Sequence, residues 1–175
     1  MYLLQAGGAG KVRATLMGSG TILREVIAAA EILAKDFGIP SDIYSAPSFS
    51  ELRREALEIE RWNRLHPGEA PRTPYVTQAL SKATGPFIAA TDYMRAWPDM
   101  IRQWVPGRFV TLGTDGYGRS DGRAALRKHF EVDAKNIVYA SLQALAEEGA
   151  IDKGTLKTAL AKLGLDPNKP DPQHA

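Results

Sequence analysis

Two aspartates and an arginine stand within seven residues in Leu112-Gly-Thr-Asp-Gly-Tyr-Gly-Arg-Ser-Asp121, after an apolar run and before a helical pattern. Gly113, Gly116 and Gly118 let this backbone turn sharply, because glycine reaches positive φ without a Cβ clash. Asp115 and Asp121 offer oxygen ligands of the kind a divalent cation takes. An EF-hand needs acidic or amide side chains at alternate positions, and Tyr117 and Arg119 occupy those places. In the competing reading Arg119 neutralises one aspartate, Asp115 bonds the turn and Asp121 caps the helix that follows. That structural reading is favoured, and no metal site is expected.

A second glycine turn, Gly18-Ser19-Gly20, also joins an apolar run to a helical pattern. Backbone N–H groups at such a junction can cradle a phosphate, with the helix dipole adding to the attraction. The turn lacks the full G-x-G-x-x-G, since position 23 is Leu, and it lacks the Walker lysine. Gly18, Ser19 and Gly20 are thus a candidate anion site beside the plainer reading as a tight turn. His66, His129 and His174 never fall at metal-ligand spacing. His129, in Arg127-Lys-His, reads as a cation near a helix C-terminus, and His66 shares a loop with Glu69. There is no G-x-S-x-G elbow and no Ser/His/Asp arrangement. No catalytic residue is assigned to this chain.

The composition narrows the classes that remain. At 175 residues, with 44% hydrophobic and 24% charged residues, the chain reads as one soluble globular domain with a proper core. Its 22 basic and 20 acidic residues are interleaved and give a net charge of only +2, so no nucleic-acid partner is expected. The absence of cysteine excludes disulfides, thiolate metal sites and thiol catalysis. No apolar run approaches the roughly 20 residues of a membrane span, and the N-terminal residues do not look like a signal peptide. The expected compartment is the cytoplasm.

The elements that must position the two glycine turns follow from periodicity. Met1 to Gly10 reads as a flexible lead-in, and Val12–Met17 as a first strand. Thr21 to Phe37 carries apolar residues at helical spacing and is closed by Gly38. With a second strand over Ser41–Ala46 this makes a βαβ unit and a parallel pair. Ser48 and Glu51 have capping-box spacing for a helix through Trp62, whose polar face includes a Glu60–Arg64 pair. Thr73-Pro74 opens a short helix to Lys82. Pro86–Thr91 is a third strand, and a loose turn precedes a helix starting at Pro98. Arg108–Leu112 is a fourth strand. Asp121 caps a helix to Phe130, Asp133 caps a long one closed by Gly149, and Asp152–Leu163 is the last, closed by Gly164. A further short strand near Glu131-Val132 is an option. Residues 1–165 form the domain, and the proline-rich segment 166–175 reads as a flexible tail. The fold class is α/β: a three-layer open sheet of four or five mostly parallel strands with helices on both faces.

A resemblance adds to this reading. Leu16-Met-Gly-Ser-Gly-Thr-Ile-Leu23, Ala28-Ala-Ala-Glu-Ile-Leu33, Ser48-Phe-Ser-Glu-Leu52, Glu60-Arg-Trp-Asn63, Leu65-His-Pro67, Ala90-Thr-Asp-Tyr-Met94, the 112–121 loop and His129-Phe-Glu-Val-Asp133 occur in unbroken order. Together they resemble the C-terminal domain of the homodimeric, bacterial-type pyruvate dehydrogenase decarboxylating component, of the transketolase superfamily. The resemblance implies a parent enzyme that decarboxylates pyruvate on thiamine diphosphate with magnesium and reductively acetylates the lipoyl group of the acetyltransferase core. It also implies a place in pyruvate metabolism and glycolysis. That family binds the diphosphate through Gly-Asp-Gly and a paired asparagine, and its activating glutamate lies in the preceding domain. Neither motif is here, and Thr114-Asp-Gly116 lacks the right context.

The resemblance therefore implies a structural and assembly domain that binds no cofactor itself and is inactive alone. Met1 would be an internal residue of a longer chain. Its partners would be the other domains of its subunit, the second subunit of a homodimer and the acetyltransferase core, with no membrane. Asp115, Gly116, Tyr117, Gly118, Arg119, Ser120 and Asp121 would form a domain or subunit contact loop. The alternative is a free-standing interaction module that binds a small anion at one of the glycine turns.

Overall fold

The structure, a computed structural model, describes residues 1–174. Four largely buried strands form parallel neighbours in the sheet: β2 (Ala14–Gly18), β3 (Ser41–Ser45), β4 (Phe87–Ala90) and β5 (Phe109–Leu112). With β1 (Tyr2–Gln5) the sheet has five strands in the order β1-β3-β2-β4-β5. Alternation along each strand feeds two cores. Leu16, Ile43 and Ile88 enter one face, where α1 (Leu23–Phe37), α6 (Ala134–Glu147) and α7 (Gly154–Leu163) pack. Met17, Tyr44, Phe87 and Phe109 enter the other, under α2 (Phe49–Leu65) and α3 (Tyr75–Leu80). This is the expected three-layer α/β architecture, with helices on both faces of a mostly parallel sheet.

The lead-in differs from its expected form. Tyr2–Gln5 pairs antiparallel with β3, Tyr2 opposite Ser45 and Leu3 opposite Tyr44, and so becomes an edge strand. The Tyr75 hydroxyl donates to the Met1 carbonyl at 2.6 Å and holds its start. All four strand residues are exposed, so no polar–apolar alternation marks them in the sequence. The strand exists because β3 presents an edge for it to pair with, which is a tertiary cause.

Helix boundaries follow their caps where the cap is a side chain. Ser48 Oγ accepts from the Glu51 N–H at 3.2 Å and starts α2. The Glu51 carboxylate does not return the bond. It is taken by Arg54 at 2.5 Å, and that hydrogen-bonded guanidinium holds the Glu51 carboxyl below its usual range. Glu60 does not pair with Arg64 either, since its carboxylate accepts from the Trp104 indole at 2.8 Å. Asp133 Oδ1 accepts from the Asn136 N–H at 3.0 Å and starts α6. Asp133→Ala is expected to lower stability by about 1 kcal/mol, the usual value of a lost N-cap, and urea unfolding would measure it.

Four boundaries depart from expectation. Asp121 accepts from the adjacent Gly122 N–H at 2.6 Å, so the cap of α5 (Arg123–His129) is Gly122, without a side-chain bond. Pro98 lies inside the short α4 (Ala96–Asp99), because the first helical N–H groups need no intrahelical partner. Pro74 is the cap of α3, while the Thr73 carbonyl accepts from Gln78 Nε2 at 2.6 Å. Glu131 and Val132 form no strand. Glu131 takes φ +60 and links α5 to α6 in a left-handed step.

Candidate functional site

The strand order reverses at β2. Its α1 connection leads to β3 on one side, while β4 lies on the other. In open α/β sheets such a switch point opens a crevice beyond the carboxyl ends of the strands. Three segments meet there: Ser19–Thr21 after β2, Thr91–Arg95 after β4, and Gly113–Asp115 after β5.

The first is the glycine turn. Gly18 needs its bareness because a Cβ would stand 2.7 Å from the Leu23 Cα at the start of α1. The Ser19 N–H donates to the Ala90 carbonyl at 3.2 Å. Gly20 takes φ +56, and a Cβ there would lie 3.0 Å from Asp92 Oδ1. Thr21 Oγ1 donates to Asp92 Oδ2 at 3.3 Å. The structure thus places a carboxylate, not an open cradle, beside Gly18, Ser19 and Gly20.

The second and third segments are interlocked. The Thr114 N–H donates to the Tyr93 carbonyl at 2.9 Å, and Thr114 Oγ1 to the Asp92 carbonyl at 2.9 Å. A Cβ on Gly113 would lie 2.6 Å from Tyr93 O and Arg95 N, so only glycine allows this approach. Asp115 Oδ2 accepts from the Arg95 N–H at 3.0 Å and from its Nε at 3.1 Å. Asp115 therefore does bond a turn, but the turn is that of Arg95, twenty residues away. Arg119 does not neutralise it.

Beyond Asp115 the loop is open. Tyr117 is 81% exposed, and Gly118, Arg119, Ser120 and Asp121 are exposed with it. Gly116 takes φ +110, and a Cβ there would lie 2.5 Å from the Pro172 carbonyl oxygen. The described part of 166–175 lies across this end of the domain. Lys169 Nζ donates to the His129 carbonyl at 2.7 Å and pairs with Glu131 at 2.8 Å. A cavity of about 390 Å³ lies between this segment, Arg95, Asp115 and α6. A second, of about 340 Å³, lies between Thr21, Asp92, Gly116, Arg119 and α5.

The histidines stand apart from this edge or serve packing. His66 Nδ1 is 2.8 Å from the Trp62 carbonyl, and its ring stacks on Trp62 at 4.3 Å. Arg72 lies 3.6 Å from the centroid of the same indole. His129 packs edge-on against Phe130. Among the described residues, no group of three or more His, Asp or Glu side chains is placed to hold a metal ion. The arrangement brings together hydrogen-bonding turns, a Thr21–Asp92 contact, guanidinium groups and exposed aromatics.

Sequence reasoning located the 115–121 loop but missed Arg95, Asp92 and Arg123 around it. Arg95 and Asp92 act through contacts across 20 residues or more, and no local signal reports those. The four-residue spacing of Arg123 and Arg127 was a readable signal for one helical face.

Residues 1–133 match the family of transketolase-like TK C-terminal domains. The chain is 55% identical over 160 residues to the pyruvate dehydrogenase E1 component of Cupriavidus necator, a match that covers 91% of this chain and 18% of that protein. It is 49% identical over 176 residues to the pyruvate dehydrogenase E1 component of Escherichia coli K12, covering 100% of this chain and 20% of that protein. The chain thus spans about a fifth of the length of these relatives. Among solved structures, a split-gene transketolase described as an inactive beta4 tetramer is similar with a TM-score of 0.53 at 19% identity, over 79% of this chain and 40% of that one. The transketolase from Leishmania mexicana is similar with a TM-score of 0.52 at 13% identity, over 81% of this chain and 17% of that one. These two likenesses concern the fold.

Proposed function

This chain belongs to the transketolase-like TK C-terminal domain family, and from that membership we propose that it is the C-terminal structural and assembly domain of a pyruvate dehydrogenase E1 component. The observation that carries the proposal is the identity of 49–55% to one portion of such components across 91–100% of this chain. The whole enzyme would decarboxylate pyruvate on thiamine diphosphate with magnesium and pass the acetyl group to lipoyl groups of the acetyltransferase core, in the cytoplasm, as a homodimer. Among the described residues, no helix is long and apolar enough to cross a membrane.

The domain's part in that enzyme is to shape and support. Asp115 to Asp121 would meet a neighbouring domain or the second subunit, and Tyr93, Met94 and Trp97, all at least 37% exposed, extend the same edge with apolar surface. Thiamine diphosphate does not fit this chain's own turn: the Asp92 carboxylate stands beside Gly20, and the Ser19 N–H is already bonded to Ala90. The cofactor would be held by the rest of the E1 chain. We expect the isolated chain, given thiamine diphosphate and magnesium, to release labelled carbon dioxide from pyruvate only at the buffer rate. Turnover above that rate, or saturable cofactor binding by calorimetry, would overturn the assignment.

A further inference from the structure

Three arginines, Arg119, Arg123 and Arg127, and one carboxylate, Asp92, line the second cavity. Arg127 is accounted for: it donates to Glu25 Oε1 at 2.7 Å, and Glu25 Oε2 accepts from the Ala134 N–H at 3.0 Å. Arg119 and Arg123 also line the cavity, and among the described residues no ion pair includes either. Arg123 opens α5 and Arg127 follows one turn later, so the two side chains rise from one face. Behind these heads the wall is apolar: Ile22 and Val132 are 1% exposed, with Leu126 and Phe130 half-buried beside them. The wall is wide enough, at about 340 Å³, to admit a side chain. Asp92 also lines the cavity, accepts from Thr21 Oγ1 and forms no ion pair with either arginine among the described residues.

We infer that this cleft receives an acidic segment of the remainder of the E1 chain. A carboxylate of that segment pairs with Arg119 and Arg123, and a neighbouring apolar side chain enters between Ile22, Leu126, Phe130 and Val132. The inference rests on the assembly role proposed above and names the chemistry of what meets the loop. Three features favour this occupant. Guanidinium groups recognise carboxylates through paired N–H bonds. Two unpaired cations at one cavity mouth repel each other until an anion arrives. The relatives extend to about five times this length, so a segment of the remainder of such a chain would meet the cleft at high effective concentration.

The test uses the chain alone, so its outcome is independent of whether the chain assembles with an E1 remainder. Isotope-labelled chain is titrated with the peptide Ac-Glu-Leu-Glu-Phe-NH2 and with its Gln counterpart, and backbone amide shifts are followed. The acidic peptide is expected to give saturable shifts at Ile22 and at 119–132, with the Gln peptide about tenfold weaker. Arg119→Ala with Arg123→Ala is expected to weaken the acidic peptide about fivefold or more at an unchanged thermal midpoint. Arg53→Ala, on the exposed face of α2, is expected to leave binding unchanged. Absence of saturable shifts, or equal shifts from the Gln peptide, overturns the proposal. So does reproduction of the full pattern by 3-phenylpropionate or inorganic phosphate at equal affinity, which would assign the cleft to a free small anion.

Discussion

Gly85→Ala is expected to cost the domain at least about 3 kcal/mol, several times the cost of the same change at Gly38. Both glycines are left-handed, Gly85 at φ +76 and Gly38 at φ +66, so both substitutions incur the conformational penalty of a Cβ at positive φ. The difference lies in what surrounds them. A Cβ on Gly38 meets nothing within 4 Å, whereas one on Gly85 would lie 1.9 Å from the Arg13 carbonyl oxygen. That carbonyl cannot move aside cheaply. The next residue but one, Thr15, donates its N–H to Pro86 O at 2.9 Å and its hydroxyl to Thr84 O at 3.1 Å, tying β2 to the same turn. Gly38→Ala is expected to cost only about 1 kcal/mol. Urea unfolding of both variants measures the contrast, and equal midpoints would show that the turn yields.

Phe87→Ala is expected to cost about 3–5 kcal/mol, the range for deleting a buried aromatic ring. Phe87 is 2% exposed, and its ring lies 2.9 Å from where a Cβ on Gly107 would be. It fills the core beneath α2 and α3 from a central strand with neighbours on both sides, so the surroundings cannot collapse into the vacancy. For a domain of this size the thermal midpoint would fall by roughly 6–20 °C, at 2–4 °C per kcal/mol. Leu57→Ala, at a position 37% exposed, is expected to change stability by less than about 0.5 kcal/mol. A small effect at Phe87 would mean that the core beneath α2 is plastic.

Where burial or a side-chain cap decided local structure, the sequence could be read. Three of the four parallel strands, β2, β4 and β5, announced themselves as short, largely apolar runs with most of their residues buried. Ser48 and Asp133 marked the starts of α2 and α6 because a single oxygen makes the cap. Reading failed where a distant partner decided. Tyr2–Gln5 is a strand only because β3 leaves an edge for it. Asp121 had the right type and spacing for a cap, yet its carboxylate accepts from the very next N–H, that of Gly122. The glycine-rich loop was legible as a loop. Its clamp to Arg95 and its contact with Pro172 were not, because those partners lie 20 and 56 residues from Asp115 and Gly116. The proline-rich composition of 166–175 reads as a flexible tail; in its described part Lys169 has two acceptors on the domain, which composition does not report.

On the reading proposed above, the loop serves assembly. Its glycines allow β4 and β5 to interlock beyond the sheet, and Asp115 fixes that junction. What remains free on it, Tyr117 and Arg119, is suited to meeting another surface. The most direct measurement is sedimentation velocity of this chain mixed with an Escherichia coli E1 component from which the matched portion has been removed. Assembly as proposed predicts a stoichiometric complex that sediments faster than either partner, with pyruvate turnover in the complex and none in the isolated chain. Two species that sediment independently at all concentrations, with the E1 remainder shown to be folded, would contradict the assembly role.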